Sequence, residues 1–133
     1  MNILILEDNS SIMSLMRMIL RPLGHKLLES AAAEEALTRF EEIDRSVDLL
    51  IADVNLPDSS GVQVAMQLRS VLPRLRIILT SGYPPGMWND QDNADYNELP
   101  SDCVMTLQKP FLPAALLDCV SRSIGDAAKA ARR

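Results

Sequence analysis

The feature that most limits what this chain can fold into is a repeated change of apolar period. Asn2-Ile3-Leu4-Ile5-Leu6 is a solid apolar run, the pattern of a strand buried on both faces. Ser10 to Leu23 then carries Ile12, Leu15, Met16, Ile19, Leu20 and Leu23 at helical spacing. Ser10 or Ser11 is placed to cap its start, and Gly24 to end it. The same switch recurs down the chain. Strands are predicted over His25 to Glu29, Val47 to Ala52, Leu75 to Leu79 and Val104 to Leu107. Helices are predicted over Ala32 to Ile43, Val62 to Val71 and Phe111 to about Ala128, with Pro113 tolerated in the first turn of the last.

Strands alternating with helices imply βαβ units, and so a parallel sheet with helices on both faces. Five strands predict a doubly wound α/β fold of flavodoxin-like type, strand order 2-1-3-4-5. A length of 133 residues suits one domain spanning the chain, with 126–133 a frayed helical tail. One stretch resists this pattern. Between Gly82 and Asp102, Pro84, Pro85, Gly86 and Pro100 flank a polar, acidic run from Asn89 to Glu98. The fourth helix is therefore expected to be degenerate, a turn or two at most around Asp90 to Leu99.

Charge and composition remove several function classes. A formal net charge of -5 argues against direct nucleic-acid binding, which needs a basic patch to displace counterions. The basic tail of Lys129, Arg132 and Arg133 reads as a solvated helix end. No apolar run approaches the roughly 20 residues that span a bilayer. Met1 to Leu6 lacks the basic start of a secretory leader. The expectation is a cytoplasmic chain without membrane insertion. Cys103 and Cys119 form no CxxC pair, which fits a reducing compartment. His25 is the only histidine, so a multi-histidine metal site is excluded.

In such a sheet, ligands bind beyond the carboxyl ends of the strands. Strand one ends in Glu7-Asp8, strand three in Asp53, strand four in Thr80, and Lys109 follows strand five. Singly, each has an ordinary explanation: Asp8 as a helix cap, Asp53 as a turn residue, Thr80 as a strand end, Lys109 as a surface lysine. Those explanations do not predict that all fall on one edge of one sheet. Three ionised carboxylates need a counter-charge, which a hard cation such as magnesium supplies. Asp8 and Asp53 could ligate it directly, Glu7 through a water, and Asn55 through its backbone carbonyl. A phosphoryl group on Asp53 could then meet Lys109 and the Thr80 hydroxyl.

These residues resemble the receiver domain of two-component response regulators, a CheY-like fold, over nearly the whole chain. The likeness is carried by Ile3-Leu4-Ile5-Leu6-Glu7-Asp8-Asn9, by Asp53-Val54-Asn55-Leu56-Pro57 with Gly61, by Ile77-Ile78-Leu79-Thr80-Ser81-Gly82, and by Gln108-Lys109-Pro110-Phe111. The strings Leu79-Thr80-Ser81-Gly82-Tyr83-Pro84 and Leu107-Gln108-Lys109-Pro110-Phe111 look most like receivers attached to, or working with, hybrid sensor kinases. The resemblance implies that Asp53 accepts phosphate from a phosphohistidine on a histidine kinase or histidine phosphotransfer protein. It implies Mg2+ (or Mn2+) on Glu7, Asp8, Asp53 and the Asn55 carbonyl, with Thr80 as switch hydroxyl and Lys109 as the phosphate-facing lysine. It also implies a cis Lys109-Pro110 bond, an unspecified downstream protein partner, and a switch rather than an enzyme acting on outside substrates.

Two departures stand out. Receivers of the switching type carry Tyr or Phe three positions before the lysine, where this chain has Thr106. The separation of Thr80 from Lys109 is also long, and the excess falls in the 82–102 stretch. A phosphoryl group is expected to draw Thr80 toward it and to shift the Ser81 to Asp102 stretch. The main alternative is a phosphorylation-independent interaction module of the same fold. An aspartyl-phosphate phosphatase of the haloacid dehalogenase type would need a second Asp where Asn55 stands. A flavodoxin would place its phosphate against Glu7 and Asp8, which repel it.

Overall fold

A computed structural model of the chain describes residues 1–131, with side-chain environments to Gly125. The expected frayed tail at 126–133 lies outside the residues whose surroundings are described. Five strands form one parallel sheet: β1 Asn2–Leu6, β2 Lys26–Ser30, β3 Leu49–Asp53, β4 Arg76–Ser81 and β5 Val104–Gln108. Their order is β2-β1-β3-β4-β5, as the sequence predicts. Five helices connect and flank them: α1 Ser10–Leu20, α2 Ala33–Glu42, α3 Gly61–Val71, α4 Asp90–Glu98 and α5 Pro113–Ala131. Among the described residues no helix is long and apolar enough to cross a membrane.

The solid apolar runs explain why the sheet is buried on both faces. Alternate residues of a strand point to opposite sides. Leu4, Leu6, Leu50, Ala52, Ile77 and Leu79 pack with Phe40, Val64, Leu68 and Trp88 on the side of α2, α3 and α4. Ile3, Ile5, Leu49, Ile51 and Ile78 pack with Met13, Met16, Leu20, Leu116 and Val120 on the side of α1 and α5. Full burial of each Leu, Ile, Val, Phe or Met among them stabilises by roughly 1.5–3 kcal/mol.

Some local expectations are corrected. Asn9, not Ser10 or Ser11, caps α1: its side chain accepts from the Ser11 and Ile12 N–H groups at 3.0 and 3.1 Å. The helix itself stops at Leu20, and a 3-10 turn over Arg21–Leu23 carries the chain to Gly24, whose φ of 85° needs glycine. The fourth helix is also longer than a turn or two. It runs nine residues, capped by Asn89, whose side chain accepts from the Asp92 N–H. It has no apolar stripe. It is anchored instead by flanking Trp88 and Leu99 and by Tyr96, which meets Trp88 edge-on with ring centroids 5.2 Å apart.

Arg17 of α1 grips Glu29 of β2 with two guanidinium nitrogens, Nε to Oε2 at 2.7 Å and Nη2 to Oε1. The Arg17 hydrogen bond holds the Glu29 carboxyl below its ordinary 4.5, against some burial. A depressed carboxylate contributes stability above its unfolded value and loses it as pH falls through the folded one. Wild type should therefore melt above Glu29→Gln at neutral pH, and the gap should close below pH 4.5. Paired melts across that range check it.

Candidate functional site

Strand pairing assembles this site from residues far apart in sequence. Asp53 pairs in register with Thr80, and Thr80 pairs with Leu107. The residues just past the strands are held by the next rungs of the ladder. Glu7 N–H donates to the Ser30 carbonyl at 3.0 Å, Val54 to Thr80 at 2.9 Å, and Lys109 to Ser81 at 2.8 Å. All strands run the same way, so Glu7, Asp8, Asp53, Thr80 and Lys109 collect at one edge.

The carboxylates converge. One ligand oxygen each from Glu7, Asp8 and Asp53 lies within 4.8 Å of the others. Glu7 and Asp53 are buried, and Asp8 is exposed. Lys109 Nζ donates to Asp53 Oδ2 at 2.9 Å. It also stands 2.6 Å from Glu7 Oε1, an ion pair whose angles leave that oxygen without an aligned donor. The other Glu7 oxygen accepts from Asn9 N–H at 3.1 Å. Asn55 N–H donates to Asp53 Oδ1 at 2.9 Å. It is thus the amide of Asn55 that touches Asp53. Lys109-Pro110 is cis, as the resemblance implies.

One ammonium shared by two buried carboxylates satisfies the ammonium better than the acids. Burial pushes the Glu7 carboxyl up, and the Asp53 charge adds to that, against the opposing pull of Lys109 and the Asn9 amide. For Lys109, burial acts downward, but the Asp53 hydrogen bond and the close Asp53 and Glu7 carboxylates outweigh it and hold the ammonium above 10.5. An under-compensated oxygen cluster of this kind fits a hard divalent cation. Thr80 supplies a second mark of an incomplete site. It is 1% exposed, and its Oγ1 has no hydrogen-bond partner. Leaving a buried hydroxyl unpaired costs about 1–3 kcal/mol.

Gly61 is built into the site by contact. A Cβ there would stand 2.3 Å from the Asp53 carbonyl oxygen and 2.9 Å from Ala52 Cβ. The start of α3 therefore packs directly on the backbone of Asp53. The sequence marks Gly61 only as part of the motif after Asp53 and gives no sign of this contact, because the approach exists only once β3 and α3 are packed.

The model of the response regulator receiver domain matches residues 3–121. The chain belongs to the response regulator receiver family. The receiver is 30% identical over 110 residues to the sensor kinase CckA of Brucella abortus (strain 2308), covering 82% of this chain but 11% of the kinase. It is 24% identical over 128 residues to the polar-differentiation response regulator DivK of Brucella ovis, covering 95% of this chain and 98% of that one. A solved CheY-like receiver domain protein from Methanospirillum hungatei JF-1 superposes with a TM-score of 0.81 at 23% identity, covering 96% of both chains.

On β5, Thr106 stands three positions before Lys109. Thr106 is exposed, and beside it lies an open cavity of about 140 Å3 lined by Leu79, Tyr83, Pro84, Pro85 and Trp88. No aromatic side chain from β5 fills that space. Sequence reasoning also missed a link between two loops. Asn55 Nδ2 donates to Ser81 Oγ at 3.2 Å. The sequence marks Asn55 for its backbone carbonyl and as the residue in place of a second Asp, and nothing local signals that its side chain meets Ser81.

Proposed function

We propose that this receiver takes a phosphoryl group onto Asp53 from a phosphohistidine of a histidine kinase or histidine phosphotransfer protein. Phosphorylation then changes its contacts with a downstream protein. The observation that carries the reading is a buried Asp53 flanked by two further carboxylates and gripped by the Lys109 ammonium. In the step, an Asp53 carboxylate oxygen bonds to phosphorus, the phosphorus–nitrogen bond of the donor breaks, and its electron pair returns to the imidazole. Lys109 offsets charge on one phosphoryl oxygen, and the unpartnered Thr80 hydroxyl donates to another. Glu7, Asp8, Asp53 and the Asn55 carbonyl would hold Mg2+ (or Mn2+), which supplies positive charge against the phosphoryl oxygens. The chain acts as a cytoplasmic switch that catalyses only its own phosphorylation and dephosphorylation.

Incubation with acetyl phosphate and magnesium should give one phosphoryl adduct by intact mass, and none with chelator. No adduct from acetyl phosphate or from a phosphohistidine protein would favour the phosphorylation-independent module instead. Magnesium alone should also raise the melting temperature. Binding at a hundred times Kd stabilises by about 2.7 kcal/mol. Asp8→Asn should remove most of that gain in the same melts.

A further inference from the structure

We infer that in this receiver the state of Asp53 reaches α4 through the Ser81 hydroxyl, in place of an aromatic residue on β5. The inference rests on Asp53 being the phosphoacceptor. Ser81 is 2% exposed, and its Oγ accepts two hydrogen bonds, from Asn55 Nδ2 at 3.2 Å and from Tyr83 N–H at 3.1 Å. The first donor belongs to the residue whose N–H sits on Asp53 Oδ1 at 2.9 Å. The second opens the segment that leads to α4. The Tyr83 carbonyl accepts from Trp88 Nε1 at 2.8 Å. Asn93 of α4 then staples that segment to the helix, accepting from Gly86 N–H at 2.9 Å and donating to the Trp88 carbonyl at 3.0 Å. Trp88 also packs edge-on against Tyr96 of α4. Residues 83–88 and α4 are thus one packed unit, and Ser81 Oγ joins it to the Asp53 loop.

A phosphoryl group brings about −1.5 to −2 charge and three strong acceptor oxygens. It competes for nearby donors, and the Asn55 side-chain amide is carried by the residue whose N–H already meets Asp53 Oδ1. When Asn55 Nδ2 turns to a phosphoryl oxygen, Ser81 Oγ loses one of its two donors and the hydroxyl is free to rotate. The Tyr83 N–H bond to the same oxygen then weakens, and the unit it anchors shifts. The cavity beside Thr106 gives that unit room to move.

The test uses the whole chain with acetyl phosphate and magnesium, with adduct formation, Trp88 emission and amide exchange read on one sample. Trp88 is the only tryptophan, so emission reports this segment alone. In wild type, phosphorylation should shift Trp88 emission and speed Tyr83 amide exchange roughly five- to tenfold, the factor set by one ordinary hydrogen bond. Ser81→Ala should still form the adduct but lose the emission shift, and Ser81→Thr, which keeps a hydroxyl, should regain it. A wild-type emission shift in Ser81→Ala overturns the relay, and so does failure of Ser81→Thr to restore it. Should Ser81→Ala not fold, wild-type exchange decides: an adduct with unchanged Tyr83 exchange overturns the inference. No adduct in wild type removes the phosphoacceptor reading itself, which is a separate result.

Discussion

Lys109→Ala should lose both stability and phosphoryl acceptance. The ammonium is the counter-charge for two buried carboxylates, at 2.9 Å from Asp53 and 2.6 Å from Glu7. Removing one partner of a buried pair typically costs 3–5 kcal/mol. The Lys109 side chain is 18% exposed, so water recovers part of this, and a loss of about 2–3 kcal/mol is expected. The Lys109 pKa is raised, so its contribution is complete below the ordinary 10.5 and lost as pH rises through the folded value. Urea unfolding of both proteins at neutral pH measures the gap, which magnesium should narrow by replacing the missing charge. Phosphorylation from acetyl phosphate should slow about a hundredfold, the usual effect of removing one positioned donor from a charge-stabilising site.

Gly61→Ala should be nearly as damaging despite adding a single methyl group. Its Cβ would meet the Asp53 carbonyl oxygen at 2.3 Å and the carbonyl carbon at 2.8 Å. Both are backbone atoms in a strand buried on both faces, so neither can rotate away. Overpacking of this kind costs about 1–3 kcal/mol. The strain falls on Asp53, the proposed phosphoacceptor, so phosphoryl acceptance should drop together with melting temperature. Leu72→Ala, a half-buried change at the far end of α3, should lower stability without a matching loss of acceptance. That contrast separates displacement of Asp53 from general weakening.

The sheet was legible because its strands are written as solid apolar runs, and the site was legible because its members are the polar residues at which those runs stop. Glu7, Asp53 and Thr80 each mark such a stop, and Lys109 follows directly after β5. Strand ends moved by a residue or two, as where β3 begins at Leu49 and includes Asp53. The α1 cap was misread because Asn9-Ser10-Ser11 offers three capping side chains in a row. The fourth helix was under-read for a different reason. Two of its three anchors, Trp88 and Leu99, lie outside the helix itself, and Tyr96 within it makes no apolar stripe. Contacts made by folding alone left no local trace: the seat of Gly61 on Asp53, and the Asn55 to Ser81 hydrogen bond across 26 positions.

The central claim is that Asp53 carries the phosphoryl group, and chemical trapping tests it most directly. Borohydride reduces an aspartyl phosphate to homoserine and leaves a free carboxylate untouched. Treated after acetyl phosphate and magnesium, the chain should show homoserine at position 53 by peptide sequencing. It should show none at position 8, and none anywhere in Asp53→Asn. Homoserine at Asp8, or an adduct that persists in Asp53→Asn, would contradict the account.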